Sequence, residues 1–207
     1  MGKTFVSLLS GVDSFVATQL CINKGMIGEA FYFEYGQPHE EVLAVSKLAT
    51  TLSIPLNTAD IAIEILRKDS APYYPFRNSI LITTVANMMV TRSDIKTIIT
   101  GLGTVSSSGA NGYPDTSTTF TSKLLDSLNE GVYPEDEIEI LNPVMGWSRI
   151  KVFKWLFNNG FKRIIKNTSS CYEDGQKRFP WGVGCGICDH CAARQTDVEA
   201  AYESQED

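Results

Sequence analysis

The sequence predicts an α/β fold, a doubly wound and mostly parallel sheet followed by a small C-terminal module. Short apolar segments alternate along the chain with longer segments of helical periodicity, and four cysteines gather near the C-terminal end. Because a strand–helix–strand unit returns the chain parallel to its first strand, this alternation implies a parallel sheet with helices on both faces. We therefore expect a sheet domain over residues 1–168 and a cysteine module over 169–207 that packs on it.

The first half of the chain supplies three strands, each followed by a helix. In the second helix the apolar residues repeat on one side, which is typical of an amphipathic helix that covers a sheet. The third helix is almost wholly apolar, so it is expected to be buried. The strands are predicted at Thr4–Leu9, Glu29–Tyr35 and Leu56–Ile61, and the helices at Asp13–Lys24, Glu40–Leu52 and Asn78–Thr91.

The second half continues the alternation and then changes character. A long loop rich in Gly and Ser runs from Gly101 to Asp115, which is more than a simple connection between elements needs. A short helix is expected to close the cysteine module. The strands are predicted at Ile95–Gly101 and Glu137–Leu141, and the helices at Ser117–Asn129, Ser148–Asn159 and Ala192–Glu203.

The turn after the first strand, residues 9–14, is the candidate nucleotide site. Ligands of a doubly wound sheet bind at the carboxyl ends of its strands. Small residues between a strand and a helix allow backbone N–H groups to face a phosphate, and the helix N-terminus adds partial positive charge. The hydroxyls of Ser10 and Ser14 can donate further hydrogen bonds, and Asp13 can cap the helix or hold a magnesium ion. The turn alone does not distinguish phosphate binding from a purely structural role.

The four cysteines predict a metal site. Cys185, Cys188 and Cys191 have x2 spacing, which brings three sulfurs together from one tight turn, and Cys171 adds a fourth from a separate segment. Four thiolates around one ion form the closed tetrahedral shell of a structural zinc site. An iron–sulfur cluster is the alternative. His190 lies inside this knuckle and is expected to be a bystander, because four cysteines already fill the shell.

The bulk composition is that of an ordinary globular protein of 207 residues, with 43% hydrophobic and 20% charged residues. A net charge of −6 argues against a general affinity for nucleic acid. No apolar run reaches membrane-spanning length and no signal peptide is expected, so we predict a cytoplasmic protein without a membrane partner. Lys177, Arg178 and Arg194 are placed to offset the negative charge of a four-thiolate metal site.

Several motifs together resemble one protein family. The turn Ser-Gly-Val-Asp-Ser at 10–14 is similar to the PP-loop of the ATP pyrophosphatases, whose pattern is Ser-Gly-Gly-x-Asp-Ser. Within that group the chain resembles the QueC family of 7-cyano-7-deazaguanine synthases over nearly its whole length. The matching segments are Tyr35–Glu41, Arg77-Asn78, Gly112–Asp115 with Phe120, Asn142–Val144, Ser170–Tyr172 and Cys185–Arg194.

The resemblance implies a Rossmann-like PP-loop fold and an enzyme that uses ATP with Mg²⁺ to adenylate a carboxylate, releasing pyrophosphate and AMP. The family converts 7-carboxy-7-deazaguanine with ammonia to an amide, activates the amide again and dehydrates it to the nitrile, 7-cyano-7-deazaguanine. Structural Zn²⁺ is implied for the four cysteines, and a homodimer is the expected assembly. In such a reaction the protein mainly positions the reactants and stabilises developing charge.

The resemblance also implies roles for individual residues. The turn from Leu9 through Val12 to Ser14 would hold the pyrophosphate of ATP, and the glycines after the fourth strand would allow close approach of the nucleotide. Arg77 would pair with a phosphate or the substrate carboxylate, unless it only forms an ion pair at a helix start. Arg149 stands where the family commonly has a lysine near the phosphates. The residues so assigned are, for catalysis, Asp13, Ser14, Arg77 and Arg149; for the nucleotide, Leu9, Ser10, Gly11, Val12, Asp13, Ser14, Gly101 and Gly103; and for the substrate, Tyr35, Gln37, Arg77, Asn78, Tyr113 and Asp115.

Three departures from the family pattern fall around the expected substrate pocket. The PP-loop is one residue shorter, or else Leu9 and Ser10 replace its first Ser and Gly. In addition, serines at 106–108 stand where the family has an aspartate, and Thr116-Ser117 replaces a Cys-Arg pair. They leave the acceptor open, and a partner protein in an antiviral defence system is the alternative to ammonia. A PP-loop enzyme that modifies tRNA is disfavoured because only Cys21 is left for catalysis. A zinc-binding interaction module without enzymatic activity remains the third alternative.

Overall fold

A five-stranded sheet, with every strand parallel to its neighbours, organises the protein. The structure is a computed structural model and describes residues 3–37, 39–61, 75–92, 94–105, 113–173 and 175–204. The strands are β1 (Thr4–Leu8), β2 (Ile27–Glu34), β3 (Leu56–Asp60), β4 (Thr97–Ile99) and β5 (Glu139–Leu141). The strand order is β3-β2-β1-β4-β5, so the topological switch point lies between β1 and β4. The predicted doubly wound fold is confirmed.

Helices cover both faces of the sheet. The helices are α1 (Val12–Ile22), α2 (His39–Leu52), α3 (Arg77–Val90), α4 (Thr118–Glu130), α5 (Arg149–Asn158), α6 (Lys162–Asn167) and α7 (Asp189–Glu203). One core lies under α1, α2, α5 and α7, and the other lies under α3 and α4. Alternate residues of a strand enter opposite cores: Phe5 of β1 belongs to the first and Val6 to the second.

Helix α3 corrects one expectation. Its apolar composition predicts a buried helix, but only one side of it is buried, where Ile82, Val85 and Met89 pack on the sheet. The opposite side leaves Ile80 and Met88 more than a third exposed. The helix lies in an outer layer, so an apolar composition does not require burial on every side.

The C-terminal module is continuous with the first core. A short antiparallel hairpin, β6 (Lys177–Phe179) and β7 (Gly182–Gly184), precedes α7, and neither α6 nor this hairpin is predicted from the sequence. Trp181 of the hairpin and Val198 of α7 are buried in the same cluster as Phe5. The chain thus packs its cysteine module directly against the sheet domain. No helix among the described residues has the length and apolarity needed to cross a bilayer.

Arg194 holds the base of this module together. Its side chain is almost completely buried, with 1% exposed. The guanidinium donates to the carbonyl oxygens of Trp181 (2.8 Å) and Ile165 (3.0 Å) and to the hydroxyls of Ser170 (2.9 Å) and Thr168 (2.6 Å). The sequence places Arg194 as a cation for the metal site, but its hydrogen bonds go to the chain segments on either side of that site.

Candidate active site

One cleft of about 870 Å³ opens at the carboxyl ends of β1, β2 and β4. This is the position at which a doubly wound sheet binds ligands. Leu9, Val12 and the other residues of the predicted phosphate turn form one end of the cleft, and aromatic and charged side chains form the other. The sequence-predicted residues that line it are Leu9, Ser10, Gly11, Val12, Asp13, Ser14, Tyr35, Gln37, Arg77, Asn78, Gly101, Tyr113 and Arg149.

The phosphate turn is shaped by Ser14. Its Oγ accepts hydrogen bonds from the backbone N–H groups of Ser10 (2.9 Å) and Gly11 (3.1 Å), which fixes both amides at the start of α1. Gly11 is the N-cap residue of α1. Asp13 was one candidate for the cap, but the side chain that reaches back to the cap position belongs to Ser14. The turn therefore combines an oriented hydroxyl with the positive end of a helix dipole.

Gly101 allows β4 to approach this turn. A Cβ atom at Gly101 would lie 2.3 Å from the backbone nitrogen of Ser14 and 2.5 Å from the carbonyl carbon of Asp13. Such distances are far inside van der Waals contact, and the atoms that would be displaced are backbone. Only glycine fits between β4 and the start of α1.

A pair of opposite charges crosses the phosphate end of the cleft. Arg149, at the first position of α5, places its Nη2 3.8 Å from Oδ2 of Asp13. Oδ1 of Asp13 and Oγ1 of Thr100 are buried and have no hydrogen-bond partner among the described residues. Buried oxygens without partners favour a cation or an N–H or O–H donor at this end.

Arg77 lies in a ring of phenol groups at the other end of the cleft. Its Nη1 donates to the hydroxyl of Tyr35 at 3.4 Å, and its guanidinium carbon is 5.9 Å from the centre of that ring. Burial alone would lower the pKa of Arg77, but attraction from Tyr35 and Tyr172 once they are ionised at high pH, and from Glu41, reverses the effect and raises it. Burial, opposed by Arg77, raises the pKa of Tyr35 to about 12. At neutral pH this end therefore presents a cation among neutral aromatic rings, and Tyr113 also lines it.

Gln37 and Tyr32 form a fixed polar pair beside Arg77. The Gln37 amide nitrogen donates to the Tyr32 hydroxyl (2.6 Å) and to the carbonyl of Phe33 (2.6 Å), while its oxygen accepts from the backbone N–H of Tyr35 (2.7 Å). The amide of Gln37 thus holds the segment after β2 in place. Burial raises the pKa of Glu41 on α2 to about 7, against the opposing influence of Arg77 and of a hydrogen bond from Tyr32.

Asn78 and Asp115 brace the cleft from behind. The backbone N–H of Asn78 donates to Oδ2 of Asp115 at 3.3 Å, and its side-chain amide donates to the Asp115 carbonyl at 3.3 Å. Asn78 lines the cleft, whereas Asp115 and Gly103 are not among the described residues that line it. Gly103 has a positive φ of 75°, and a Cβ there would lie 2.5 Å from Sδ of Met145. Direct ligand contacts of Asp115 and Gly103 stay predictions, and Gly112 and the serines at 106–108 lie outside the described residues.

The cysteine module forms one wall of the cleft, which the sequence reasoning missed. Ser169 to Glu173 and His190 all line it. The rings of Tyr172 and His190 lie 4.6 Å apart, and burial, aided by Arg149, lowers the pKa of His190. The sequence signal was available, because Ser170–Tyr172 is one of the family-like segments. Nothing local in that segment shows that it faces the nucleotide turn.

The four cysteines come together as predicted. The sulfurs of Cys171, Cys185, Cys188 and Cys191 all lie within 4.8 Å of one another, and those of Cys185 and Cys191 are 3.9 Å apart. The backbone N–H groups of Ile187 (3.4 Å) and Cys188 (3.3 Å) donate to the Cys185 sulfur and lower the pKa of that thiol to about 6. Sulfurs at about 2.3 Å from one tetrahedral ion would be about 3.8 Å apart, so this set fits a single metal ion. His190 is not part of it.

Comparisons with known proteins agree with this architecture. A family model described as queuosine biosynthesis protein QueC matches residues 67–202. Two curated proteins named 7-cyano-7-deazaguanine synthase, from Nitratiruptor sp. and Campylobacter hominis, are 28% and 26% identical to the chain. Each alignment covers 96% of this chain, with 94% of the first relative and 96% of the second.

Solved structures show the same fold at low sequence identity. A 4-thiouridine synthetase in complex with RNA and bound ATP superposes with a TM-score of 0.55 at 15% identity, over 98% of this chain and 53% of that one. The U34-tRNA thiolase NcsA from Methanococcus maripaludis, with its [4Fe-4S] cluster, gives a TM-score of 0.50 at 12% identity, over 99% and 72%. At these identities the likeness concerns the fold alone.

Proposed function

The chain belongs to the QueC family, and we propose that it is an ATP-dependent enzyme that converts 7-carboxy-7-deazaguanine and ammonia to 7-cyano-7-deazaguanine. The observation that carries the proposal is the cleft at the carboxyl ends of β1, β2 and β4. It joins an anion-binding turn at the switch point of the sheet to a chamber of aromatic rings around one arginine. A nucleotide phosphate suits the first end, and a planar anionic heterocycle suits the second.

The chemistry consists of two activations. In the first, a carboxylate oxygen attacks the α-phosphorus of ATP, and the bond to the β-phosphate breaks, which gives an acyl-adenylate and pyrophosphate. Ammonia then displaces AMP and loses a proton to give the amide. In the second, the amide oxygen attacks another ATP in the same way. Loss of AMP and of the two N–H protons leaves the nitrile.

The residues of the cleft are suited to stabilise the departing charge. Ser14 fixes the turn, and the pyrophosphate would be held by the Ser10 hydroxyl, by the backbone N–H groups that follow Gly11 in the first turn of α1, and by the helix dipole. Arg149 would neutralise phosphate charge, and Asp13 would hold the Mg²⁺ that accompanies ATP. Both tasks require the same end of the cleft, where these two side chains lie 3.8 Å apart.

Arg77 would bind the substrate carboxylate. It is a cation at the aromatic end of the cleft, and a guanidinium recognises a carboxylate through paired hydrogen bonds. Tyr35, Tyr113 and Tyr172 offer ring faces and edges on which a bicyclic base can stack. We expect both ends to be occupied at once, because adenylation needs the carboxylate next to the α-phosphate.

For the four cysteines we propose a structural Zn²⁺. All four thiolates share one small volume, whereas an iron–sulfur cluster distributes its thiolates over four irons or, in pairs, over two, so that not all four sulfurs lie around one ion. A closed shell of four thiolates leaves no position for substrate, so the ion would stabilise the fold of the module and supply no step of the reaction.

Mass spectrometry of the purified protein with ATP, Mg²⁺, 7-carboxy-7-deazaguanine and ammonium tests the function. The expected products are AMP, pyrophosphate and the nitrile, and formation of ADP would contradict the mechanism. If ATP is consumed without nitrile and the deazapurine mass appears on a co-expressed protein, a protein amine is the acceptor. Asp13→Ala should abolish turnover without loss of folding. Homodimer formation and cytoplasmic location stay predictions.

A further inference from the structure

Among the described residues, three acidic side chains line the cleft: Asp13, Glu41 and Glu173. Asp13 lies at the phosphate end beside Arg149, and Glu173 is exposed to solvent. Glu41 lies in the first turn of α2 at the aromatic end and is only partly exposed. Neither the phosphate chemistry nor the binding of the substrate carboxylate accounts for Glu41.

The groups around Glu41 meet only part of what its ionised carboxylate needs. The Gln37 amide donates to the Tyr32 oxygen at 2.6 Å, so the Tyr32 proton is free to go to Glu41, with which it forms a hydrogen bond. Arg77 attracts the same carboxylate. One phenol hydroxyl satisfies only part of the acceptor capacity of two carboxylate oxygens. Burial of an acid with spare acceptors is unfavourable unless a donor arrives.

We propose that Glu41 is a specificity-determining residue that accepts hydrogen bonds from the N–H edge of a guanine-type base. This inference rests on the proposed function. The guanine edge presents a ring N–H beside an exocyclic amino group, and two neighbouring donors match the two oxygens of one carboxylate. Glu41 would then hold the donor edge of the base while Arg77 holds its carboxylate. Bases with an acceptor in place of the ring N–H would face repulsion from Glu41.

The test is calorimetric titration of the full chain with 7-carboxy-7-deazaguanine and with its analogue that lacks the 2-amino group. Glu41→Gln keeps the shape but replaces one acceptor by a donor, so we expect its affinity for the first compound to fall about ten- to a hundredfold. The wild-type protein should prefer the first compound over the analogue, and Glu41→Gln should lose most of that preference. Glu40→Gln is the matched control, since Glu40 is the preceding acid of the same helical turn and does not line the cleft.

Two further measurements separate the outcomes. If Glu41 instead binds ammonium or the adenine amino group, Glu41→Gln would raise the KM for ammonium or ATP and leave the affinity for the base unchanged, which would overturn the inference. If the wild-type protein turns over the substrate and Glu41→Gln binds both compounds like the wild type, the inference fails while the proposed function stands. If no turnover occurs, the proposed function fails, and the titration alone decides the role of Glu41. A melting curve for each variant verifies that it is folded.

Discussion

Replacing Arg194 by methionine removes a buried guanidinium together with four hydrogen bonds, two to carbonyl groups and two to hydroxyl groups. Methionine fills much of the same volume, but it leaves those acceptors without a donor. Each buried acceptor left without a donor costs about 1–3 kcal/mol, so losing several of these bonds should cost about 3–5 kcal/mol. For a chain of this length each kcal/mol lowers Tm by about 2–4 °C, so we expect a fall of about 6–20 °C.

Thermal unfolding followed by circular dichroism measures this effect. Arg163→Met is the matched control, because Arg163 is exposed on the neighbouring helix α6 and its change should stay within about 0.5 kcal/mol. Since one of the hydroxyls belongs to Ser170 in the cleft wall, Arg194→Met should also weaken substrate binding. A Tm for Arg194→Met equal to that of Arg163→Met would refute the view that this guanidinium joins the cysteine module to the sheet domain.

Three more changes have definite expected outcomes. Gly101→Ala should lower the free energy of unfolding, measured in urea, by about 3 kcal/mol and abolish ATP binding, because its Cβ would displace the backbone of Ser14. Gly131→Ala is the control: its Cβ meets nothing nearer than 3.4 Å, so this variant should unfold like the wild type. Because burial raises the pKa of Glu41 from 4.5 to about 7, folding favours its protonated form. Up to about 3 kcal/mol of stability is therefore lost as the pH rises from 4.5 to 7. Glu41→Gln should thus be more stable than the wild type at pH 8 and equal to it at pH 4, and equal curves at both pH values would contradict the shift. Cys188→Ser should lower Tm and reduce the content of the proposed metal, measured by elemental analysis, and a strong chelator should do the same to the unaltered protein. A metal content that Cys188→Ser leaves unchanged would exclude Cys188 as a ligand.

The sheet and its order of elements are predictable because apolar periodicity reports burial directly. The residues at which a strand begins and ends are harder to predict. The apolar run predicts a strand at Ile95–Gly101, but pairing with β1 and β5 limits β4 to Thr97–Ile99. Hydrogen bonding, not apolarity, sets strand length. Helix α6 and the β6–β7 hairpin are too short to show a period, so no pattern in the sequence reveals them.

Within the site, features carried by a local motif are predictable and those made by distant segments are not. The turn at residues 9–14 and the four cysteines each have a spacing with a direct chemical meaning. Glu41 and the wall formed by Tyr172 and His190 have none, because their role depends on segments that meet only after folding. The same holds for Gln37, whose amide is engaged within its own loop.

The central position of β1 has a consequence for the growing polypeptide. This strand leaves the ribosome before every other strand of the sheet, yet it must pair on both edges. One edge of β1 pairs with β2, which is synthesised soon afterwards. The other edge pairs with β4, where the partner of Phe5 is Thr97, about ninety residues later in the chain. At typical rates of synthesis that edge waits for roughly 5–20 seconds, and Phe5, Val6 and the apolar side of β2 stay uncovered on at least one face. The half-made sheet is an open template for another strand during this interval. We therefore expect the yield of folded protein to depend on chaperones that bind nascent apolar segments.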